Sequence, residues 1–208
     1  MSSKITLKSI KEYNKAAVNN PQVRLARNAA VRGDVMDLAM DWEAFRKIDH
    51  TFSEMVSGQM KVTNQKSSGR CWGFAGLNLF RVHLGRKYNL KHFEFSQNYF
   101  MFCDKLEKSN YFLENIIKTT DEPLDGRLVM HLLTDPIQDG GQWHMFVNLI
   151  EKYGVLPQTE MPESFQSSQS MRMNRMITRK LRGFAKDLRA AYEKGADTKK
   201  LRVMKEDM

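Results

Sequence analysis

The most informative segment of this chain is Gln65-Lys-Ser-Ser-Gly-Arg-Cys71-Trp72-Gly-Phe74-Ala75. Residues 62–69 are polar and turn-rich, so they are predicted to form a loop. The segment 71–84 that follows has apolar residues on more than one side, which is typical of a helix buried through most of its circumference. The cysteine is therefore expected at the N-terminus of a buried helix.

That position suits a cysteine nucleophile. Unpaired N–H groups and the dipole at a helix N-terminus favour the thiolate, which is the attacking species, and Arg70 is expected to add positive potential. The Cys71 N–H and the side-chain amide of Gln65 can both donate to an oxyanion, which is worth about 3 kcal/mol. A lone cysteine beside Trp72 and Phe74 is more often a small buried hydrophobe. The combination with the polar loop and Gln65 therefore carries the prediction.

Composition excludes several classes of protein. The chain has 208 residues, a net charge of +9 and two cysteines, too few for a disulfide framework. No apolar run is long enough to span a bilayer, and the first ten residues have no apolar signal region, so a cytoplasmic protein without a membrane segment is expected. Neither a metal nor a cofactor is expected. The fourteen methionines are interpreted as core and groove filler.

Helices are predicted along most of the chain, and strand signals are nearly absent. Gly73 and Gly76 lie inside the cysteine helix, where glycine costs about 1 kcal/mol relative to alanine, so either the first turns of this helix are looser or something packs very close to them. A tight turn is predicted at Asp139-Gly-Gly, a helix stop at Gly154, and an extended connection between Pro157 and Pro162. The predicted helical segments are 5–18, 23–31, 34–56 with mixed periodicity, 71–84, 95–106, 111–119, 127–133, 142–152 and 172–193.

The cysteine string resembles the active-site signature of papain-like cysteine peptidases. The longer string Thr63-Asn-Gln-Lys-Ser-Ser-Gly-Arg-Cys71-Trp72 is similar to the bleomycin hydrolase / aminopeptidase C family. Several independent motifs in one order are hard to obtain by chance. Further strings resemble the family's in the family's order: Phe93-Glu-Phe-Ser-Gln97, Asp125-Gly-Arg127, Asp139-Gly-Gly-Gln-Trp143, Glu151-Lys-Tyr-Gly-Val155 and Pro162-Glu-Ser164.

The resemblance implies an α+β papain-like fold, of which this chain supplies mainly the α-helical, cysteine-bearing lobe. It implies a cysteine-type aminopeptidase acting on peptides and assembled as a homohexamer. Cys71 would be the nucleophile and Gln65 the oxyanion-hole side chain, while Gly140, Gly141 and Trp72 would bind substrate. The implied domains are an N-terminal helical extension over 1–61, the helical lobe over 62–162 and the start of a basic helical insertion over 163–208.

A papain-like site also needs a histidine, about 130–150 residues after the cysteine. The last histidine of this chain is His144, so the catalytic His and Asn are expected outside these residues, and the chain alone is expected to be inactive. His83 would lie about 18 Å along the cysteine helix and cannot reach Cys71. His144 is the remaining candidate for a base, with less support than a surface or packing role.

The C-terminal part of the chain is strongly basic, since residues 163–208 hold twelve basic and six acidic residues. Six basic residues recur there at spacings of three and four, which places them on one face of a helix. A solvated face is one interpretation. A surface for nucleic acid or an acidic partner is the alternative, and with it a non-catalytic nucleic-acid-binding or assembly module. The six are Arg172, Arg175, Arg179, Arg182, Lys186 and Arg189.

Overall fold

The structure, a computed structural model, describes residues 4–54 and 60–208. The chain divides into two compact units, Met1–Met55 and Val56–Met208. Within the described residues the regular elements are all α-helices, and β structure is limited to two isolated bridges, Ser67 with Gln169 and Phe95 with Pro157. Across the same ranges, none of the helices is long and apolar enough to cross a membrane.

The first unit contains four helices, none of which has a buried residue in the described segment. The segment predicted over 34–56 forms two short helices, and its last residues, 55 and 56, lie outside the described ranges. Each helix begins at a side chain that accepts hydrogen bonds from the first turn, namely Thr6, Asn20, Asp34 and Asp41. The helices are α1 (Leu7–Asn19), α2 (Pro21–Ala30), α3 (Val35–Ala39) and α4 (Trp42–Lys47).

The second unit is a helical assembly in which one long helix is central. That helix, α6, was predicted as two helices, and this prediction is wrong: Gln97–Lys118 is continuous. The polar stretch between the two predicted helices contains neither glycine nor proline, and the Ser109 hydroxyl donates to the Lys105 carbonyl one turn earlier. The other helices are α5 (Cys71–Tyr88), α7 (Arg127–Thr134), α8 (Trp143–Tyr153), α9 (Phe165–Ser168), α10 (Met171–Glu193) and α11 (Thr198–Glu206).

Two apolar clusters form the core of the second unit, and α6 contributes to both. One cluster joins α5, α6 and α8 and contains Leu77, Phe95, Phe100, Cys103, Phe146 and Leu149. The other joins α6, α10 and α11 and contains Phe112, Leu113, Ile116, Ile117, Ile137, Leu181, Ala185, Leu188, Ala196 and Leu201. The first cluster lies directly behind the start of α5 and therefore fixes the position of Cys71.

The two glycines inside α5 allow this close packing. A Cβ on Gly73 would lie 2.3 Å from the Phe100 ring, and a Cβ on Gly76 would lie 2.3 Å from the Phe146 ring. Such distances are far inside van der Waals contact, so a larger residue at either position would force the neighbouring ring to move. Of the two alternatives that the glycines left open, the structure supports very close packing.

Candidate active site

Cys71 is the first residue of α5, and its free thiol is exposed. The helix runs for 18 residues, and the residue before it, Arg70, occupies the N-cap position without a side-chain cap hydrogen bond. The N–H groups of the first turn are therefore unpaired within the helix, next to an accessible thiol. This is the arrangement that the sequence predicted for the cysteine.

Arg70 has a different role from the one expected of it. Its side chain is buried, and its two terminal nitrogens each donate to one oxygen of Glu163 at 2.8 Å. The Arg70 guanidinium also lies over the ring of Phe74, 5.0 Å from the ring centre. The expectation that Arg70 simply adds positive potential beside the thiol is wrong, because its charge is offset by the half-buried carboxylate of Glu163.

Gln65 lies in an irregular loop, as predicted. Its side chain is half-buried, its Oε1 is buried without a hydrogen-bond partner, and its main-chain carbonyl accepts from the Ser68 hydroxyl at 2.7 Å. Lys66 has a positive φ of 55°, and its N–H donates to the side chain of Asn64 at 2.8 Å. The loop is thus held by its backbone and by Ser68, while the Gln65 amide has no partner among the described residues.

Trp72 is packed into the protein. Its indole N–H donates to the Asp139 carbonyl at 2.8 Å, and its ring meets the edge of the Phe100 ring with the centroids 4.8 Å apart. The Lys108 ammonium lies 5.5 Å from the Trp72 ring centre. These contacts give Trp72 a packing role, and its expected contact with substrate stays a prediction.

The two glycines of the predicted substrate wall differ from each other. A Cβ on Gly141 would lie 2.5 Å from the Trp72 indole, whereas a Cβ on Gly140 would meet nothing within 4 Å. Packing against Trp72 therefore explains Gly141 without any ligand. The segment is a bend at Asp139 followed by irregular backbone rather than the predicted tight turn. The carbonyl and the carboxylate of Asp139 accept from Trp72 and Gly69, so this residue is held by distant groups and not by a local turn.

Asp139 is the site residue that sequence reasoning missed. Its carboxylate accepts from the main-chain N–H of Gly69 at 3.2 Å, from Lys105 at 2.5 Å, from Asn174 at 2.7 Å and from the Ser170 hydroxyl. Burial alone would raise the pKa of Asp139, but these hydrogen bonds and the charge of Lys105 together hold it well below its usual range. An Asp before Gly-Gly reads in sequence as an ordinary turn residue, so the string offered no distinguishing signal.

Two lysines of α6 hold the carbonyl groups around Asp139. Lys105 is buried and donates to the carbonyls of Ile137 and Gln138, while Lys108 donates to Asp104 and to the carbonyl of Gly140 at 2.7 Å. Burial lowers the pKa of Lys108 and raises that of Asp104, although the pair itself opposes both shifts. The backbone around Gly140 is thus fixed by the two lysine side chains of α6.

The histidines of the second unit are all exposed, namely His83, His92, His131 and His144. Within the described residues, no hydrogen bond joins any of them to Cys71. Nor do the described ranges contain a group of three or more His, Cys, Asp or Glu side chains that could hold a metal ion.

The basic face of α10 is used in two ways. Arg182 donates to the carbonyls of Leu133 and Thr134, at the end of α7, and Arg189 donates to those of Thr119 and Glu122, just beyond α6. An arginine at a helix C-terminus satisfies unpaired carbonyls and complements the helix dipole. These two residues therefore depart from the expected solvated stripe. The other four, Arg172, Arg175, Arg179 and Lys186, are exposed.

Comparison with known proteins gives consistent relationships. The Peptidase C1-like family matches residues 4–208. Aminopeptidase C of Listeria monocytogenes is 43% identical over 198 residues, which cover 95% of this chain and 45% of the relative. Bleomycin hydrolase of Homo sapiens is 42% identical over 181 residues, 86% of this chain and 40% of the relative.

A solved structure agrees with these sequence relationships. The crystal structure of PepW from Lactobacillus rhamnosis matches with a TM-score of 0.91 and 40% identity, over 100% of this chain and 46% of that one. The chain spans less than half the length of these three relatives. A family match over nearly every residue, with a superposable structure, leaves one conclusion: the chain belongs to the Peptidase C1-like family.

Proposed function

We propose that the protein containing this chain is a cysteine-type aminopeptidase of the bleomycin hydrolase kind, acting on peptide or amide bonds. One observation carries the proposal: the free thiol of Cys71 is exposed on the first residue of α5, in a chain of the Peptidase C1-like family. The relatives named aminopeptidase C and bleomycin hydrolase support the substrate class.

In the proposed reaction, the Cys71 thiolate attacks the carbonyl carbon of the substrate. A carbon–sulfur bond forms, and the carbonyl π electrons move onto oxygen. The main-chain N–H of Cys71 and the side-chain amide of Gln65 donate to that oxyanion. The oxyanion collapses to a thioester as the carbon–nitrogen bond breaks and the amine leaves with a proton. Water then hydrolyses the thioester and regenerates the thiol.

A base must take the thiol proton and return it to the leaving amine. Among the described residues no histidine is hydrogen-bonded to Cys71, and we propose that this His, and an Asn that orients it, come from outside these 208 residues. The relatives are more than twice as long as their matched segment, which leaves room for a second, β-containing lobe. The complete α+β fold is part of this proposal.

The substrate backbone is proposed to run past Gly140. That glycine has open space where a Cβ would project, and its carbonyl is held by Lys108. Trp72 and Gly141 pack together directly beside it and support the wall. A peptide can approach a residue without a Cβ more closely than any other.

A cytoplasmic location and a homohexameric assembly complete the proposal. The two free thiols, Cys71 and Cys103, suit a reducing compartment. Light scattering of the purified protein at micromolar concentration measures the assembly directly, and a mass of one protomer would contradict the hexamer.

The second candidate function is nucleic-acid binding by α10. It is favoured by four exposed cationic side chains on one face, at Arg172, Arg175, Arg179 and Lys186, and weakened by the use of Arg182 and Arg189 as helix caps. Such binding would be independent of base sequence and would weaken steeply with salt. Titration with a labelled duplex at two salt concentrations tests it, and an unchanged affinity would contradict it.

The decisive experiment compares Cys71→Ala with Cys103→Ala in the protein that carries these residues. The substrates are an aminoacyl fluorogenic amide and the same amide with a blocked N-terminus. Cys71→Ala should abolish hydrolysis, Cys103→Ala should retain it, and the blocked substrate should be poor. Hydrolysis that survives in Cys71→Ala would refute the proposed nucleophile, while equal rates on both substrates would refute aminopeptidase specificity.

A further inference from the structure

A chain of hydrogen bonds connects the Arg70–Glu163 ion pair, whose arginine is buried, to the backbone of the loop over residues 62–69, which carries Gln65. It begins at Glu163, whose two carboxylate oxygens receive the two terminal nitrogens of Arg70 at 2.8 Å each. A fork of this kind fixes the guanidinium plane as well as its position. Arg70 and Glu163 are 93 positions apart in sequence, so the pair anchors the residue before the nucleophile to a distant segment.

The remaining nitrogen of the Arg70 guanidinium continues the chain. Its Nε–H donates to the Ser68 Oγ at 2.8 Å, and the Ser68 hydroxyl in turn donates to the main-chain carbonyl of Gln65 at 2.7 Å. Only 2% of Arg70 and 8% of Ser68 are exposed, so water does not compete strongly for these bonds. The Gln65 carbonyl is thereby tied through one hydroxyl to the ion pair.

The Glu163 end of the chain is itself held in place. The hydroxyl of Ser167, which is fully buried, donates to the Glu163 carboxylate at 2.8 Å, and the main-chain N–H of Ser67 donates to the carbonyl of Ser168 at 3.0 Å. Burial raises the pKa of Glu163, but the hydrogen bonds from Arg70 and Ser167 and the charge of Arg70 outweigh burial and lower it. The carboxylate therefore stays ionised at neutral pH and keeps its two hydrogen bonds to Arg70.

We infer that Ser68, held by the Arg70–Glu163 ion pair, is a positioning residue that fixes the backbone of Gln65 and thereby aims its side-chain amide at the reacting carbonyl oxygen. The inference rests on the proposed function, in which Gln65 donates to the oxyanion. Oxyanion donors must be held to within about 0.5 Å of their productive position. Because the Gln65 amide has no partner among the described residues, its aim depends on the backbone that carries it.

Ser68→Ala tests this inference, because it removes the link while leaving Arg70 and Glu163 in place. We expect kcat for an aminoacyl amide to fall about tenfold with KM within about twofold, a smaller loss than the removal of a whole oxyanion donor. Alkylation of Cys71 by iodoacetamide displaces iodide and forms no oxyanion, so its rate should match wild type. A parallel fall in the alkylation rate would show a general loss of site structure and overturn the inference.

Gln65→Ala and the double variant complete the experiment. Gln65→Ala should lower kcat more than Ser68→Ala does. The double variant should lose no further kcat, since it has no Gln65 amide for Ser68 to position. If the two losses in kcat multiply in the double variant, or if kcat is unchanged in Ser68→Ala, the inference is overturned while the proposed function stands. An unchanged kcat in Gln65→Ala would refute the oxyanion role itself and the inference with it.

Glu163→Gln is the second variant, for use if Ser68→Ala does not fold. It weakens the ion pair with little change in shape and should lower kcat in the same direction, again without slowing alkylation of Cys71 by iodoacetamide. A kcat equal to that of wild type in a folded Glu163→Gln protein would contradict the role of the ion pair.

Discussion

The main-chain N–H of Gly69 donates to the carboxylate of Asp139 at 3.2 Å, across 70 positions of sequence. The carbonyl of the same aspartate accepts from the indole N–H of Trp72. Asp139 therefore touches both sides of Cys71, with the Gln65 loop before it and α5 after it. A single residue thus sets the distance between the proposed nucleophile and the glycine segment that begins at Gly140.

Replacing Asp139 should destabilise the protein in a pH-dependent way. Asp139→Asn leaves the buried Lys105 without its counter-ion, which should cost about 3 kcal/mol at pH 7. Because the pKa of Asp139 is lowered in the folded state, its contribution is complete above the unfolded pKa, near 4, and is lost as pH falls below that value. Urea unfolding of both proteins at pH 7, 5 and 3 should show the difference shrinking at pH 3. A constant difference across this range would contradict the assignment.

Alanine at Gly73 or Gly76 should destabilise the protein, although alanine favours a helix. The added Cβ would lie 2.3 Å from Phe100 or Phe146, and overpacking of this kind costs about 1–3 kcal/mol. Gly183 is the matched control, since it lies inside α10 and a Cβ there meets nothing within 4 Å. Gly183→Ala should therefore stabilise by up to about 1 kcal/mol. Thermal unfolding measures all three, and equal effects would refute the packing explanation.

Alanine at Gly141 should affect stability, whereas alanine at Gly140 should affect substrate binding. Gly141→Ala should lower stability by about 2 kcal/mol, because the Cβ would collide with the Trp72 indole. Gly140→Ala should leave stability nearly unchanged and instead raise KM several-fold, since open space in front of Gly140 is where the substrate is proposed to lie. Unfolding curves and steady-state kinetics measure the two effects. An unaltered KM in Gly140→Ala would argue against substrate contact there.

Arg182 should contribute to stability although it lies on the exposed side of α10. Arg182→Gln removes two hydrogen bonds to the carbonyls that end α7 and should cost about 1 kcal/mol. Arg175→Gln is the control, because Arg175 is exposed on the same face and should unfold like wild type. Chemical denaturation compares the two, and an equal loss at both positions would contradict a specific capping role for Arg182.

The two thiols should differ in their rate of labelling. Cys71 is exposed and should react rapidly with an aromatic disulfide reagent in the native protein. Cys103 is 3% exposed, and burial raises the pKa of its thiol. Cys103 should therefore react slowly in the native protein and rapidly only after unfolding. Spectrophotometry should count one thiol in the native state and two in denaturant. Cys71→Ser should reduce the native count to nearly zero, and a rapid second thiol would contradict the burial of Cys103.

Local sequence patterns were sufficient to predict most helices of the second unit. The start of α5 at Cys71, the end of α8 at Gly154 and the irregular loop at 62–69 all follow from residues within a few positions of each other. The break predicted inside α6 failed because a polar stretch is a weaker signal than glycine or proline. Gly73 indicated either a loose helix start or close packing, and neither the choice between them nor the packing partner, Phe100, could be predicted from local sequence.

The candidate nucleophile and oxyanion donor could be recognised locally, since a cysteine, a polar loop and a glutamine lie within seven positions. The contacts that hold these residues in place appear only when the chain is folded. The pairs Arg70–Glu163 and Gly69–Asp139 join residues 93 and 70 positions apart, and local periodicity carries no information about which distant charge or carbonyl will be adjacent. Burial of Arg70 then made its ion pair strong, because a charged group taken out of water must find a partner. The structure therefore turned Arg70 from a presumed source of positive potential into one half of a neutral anchor.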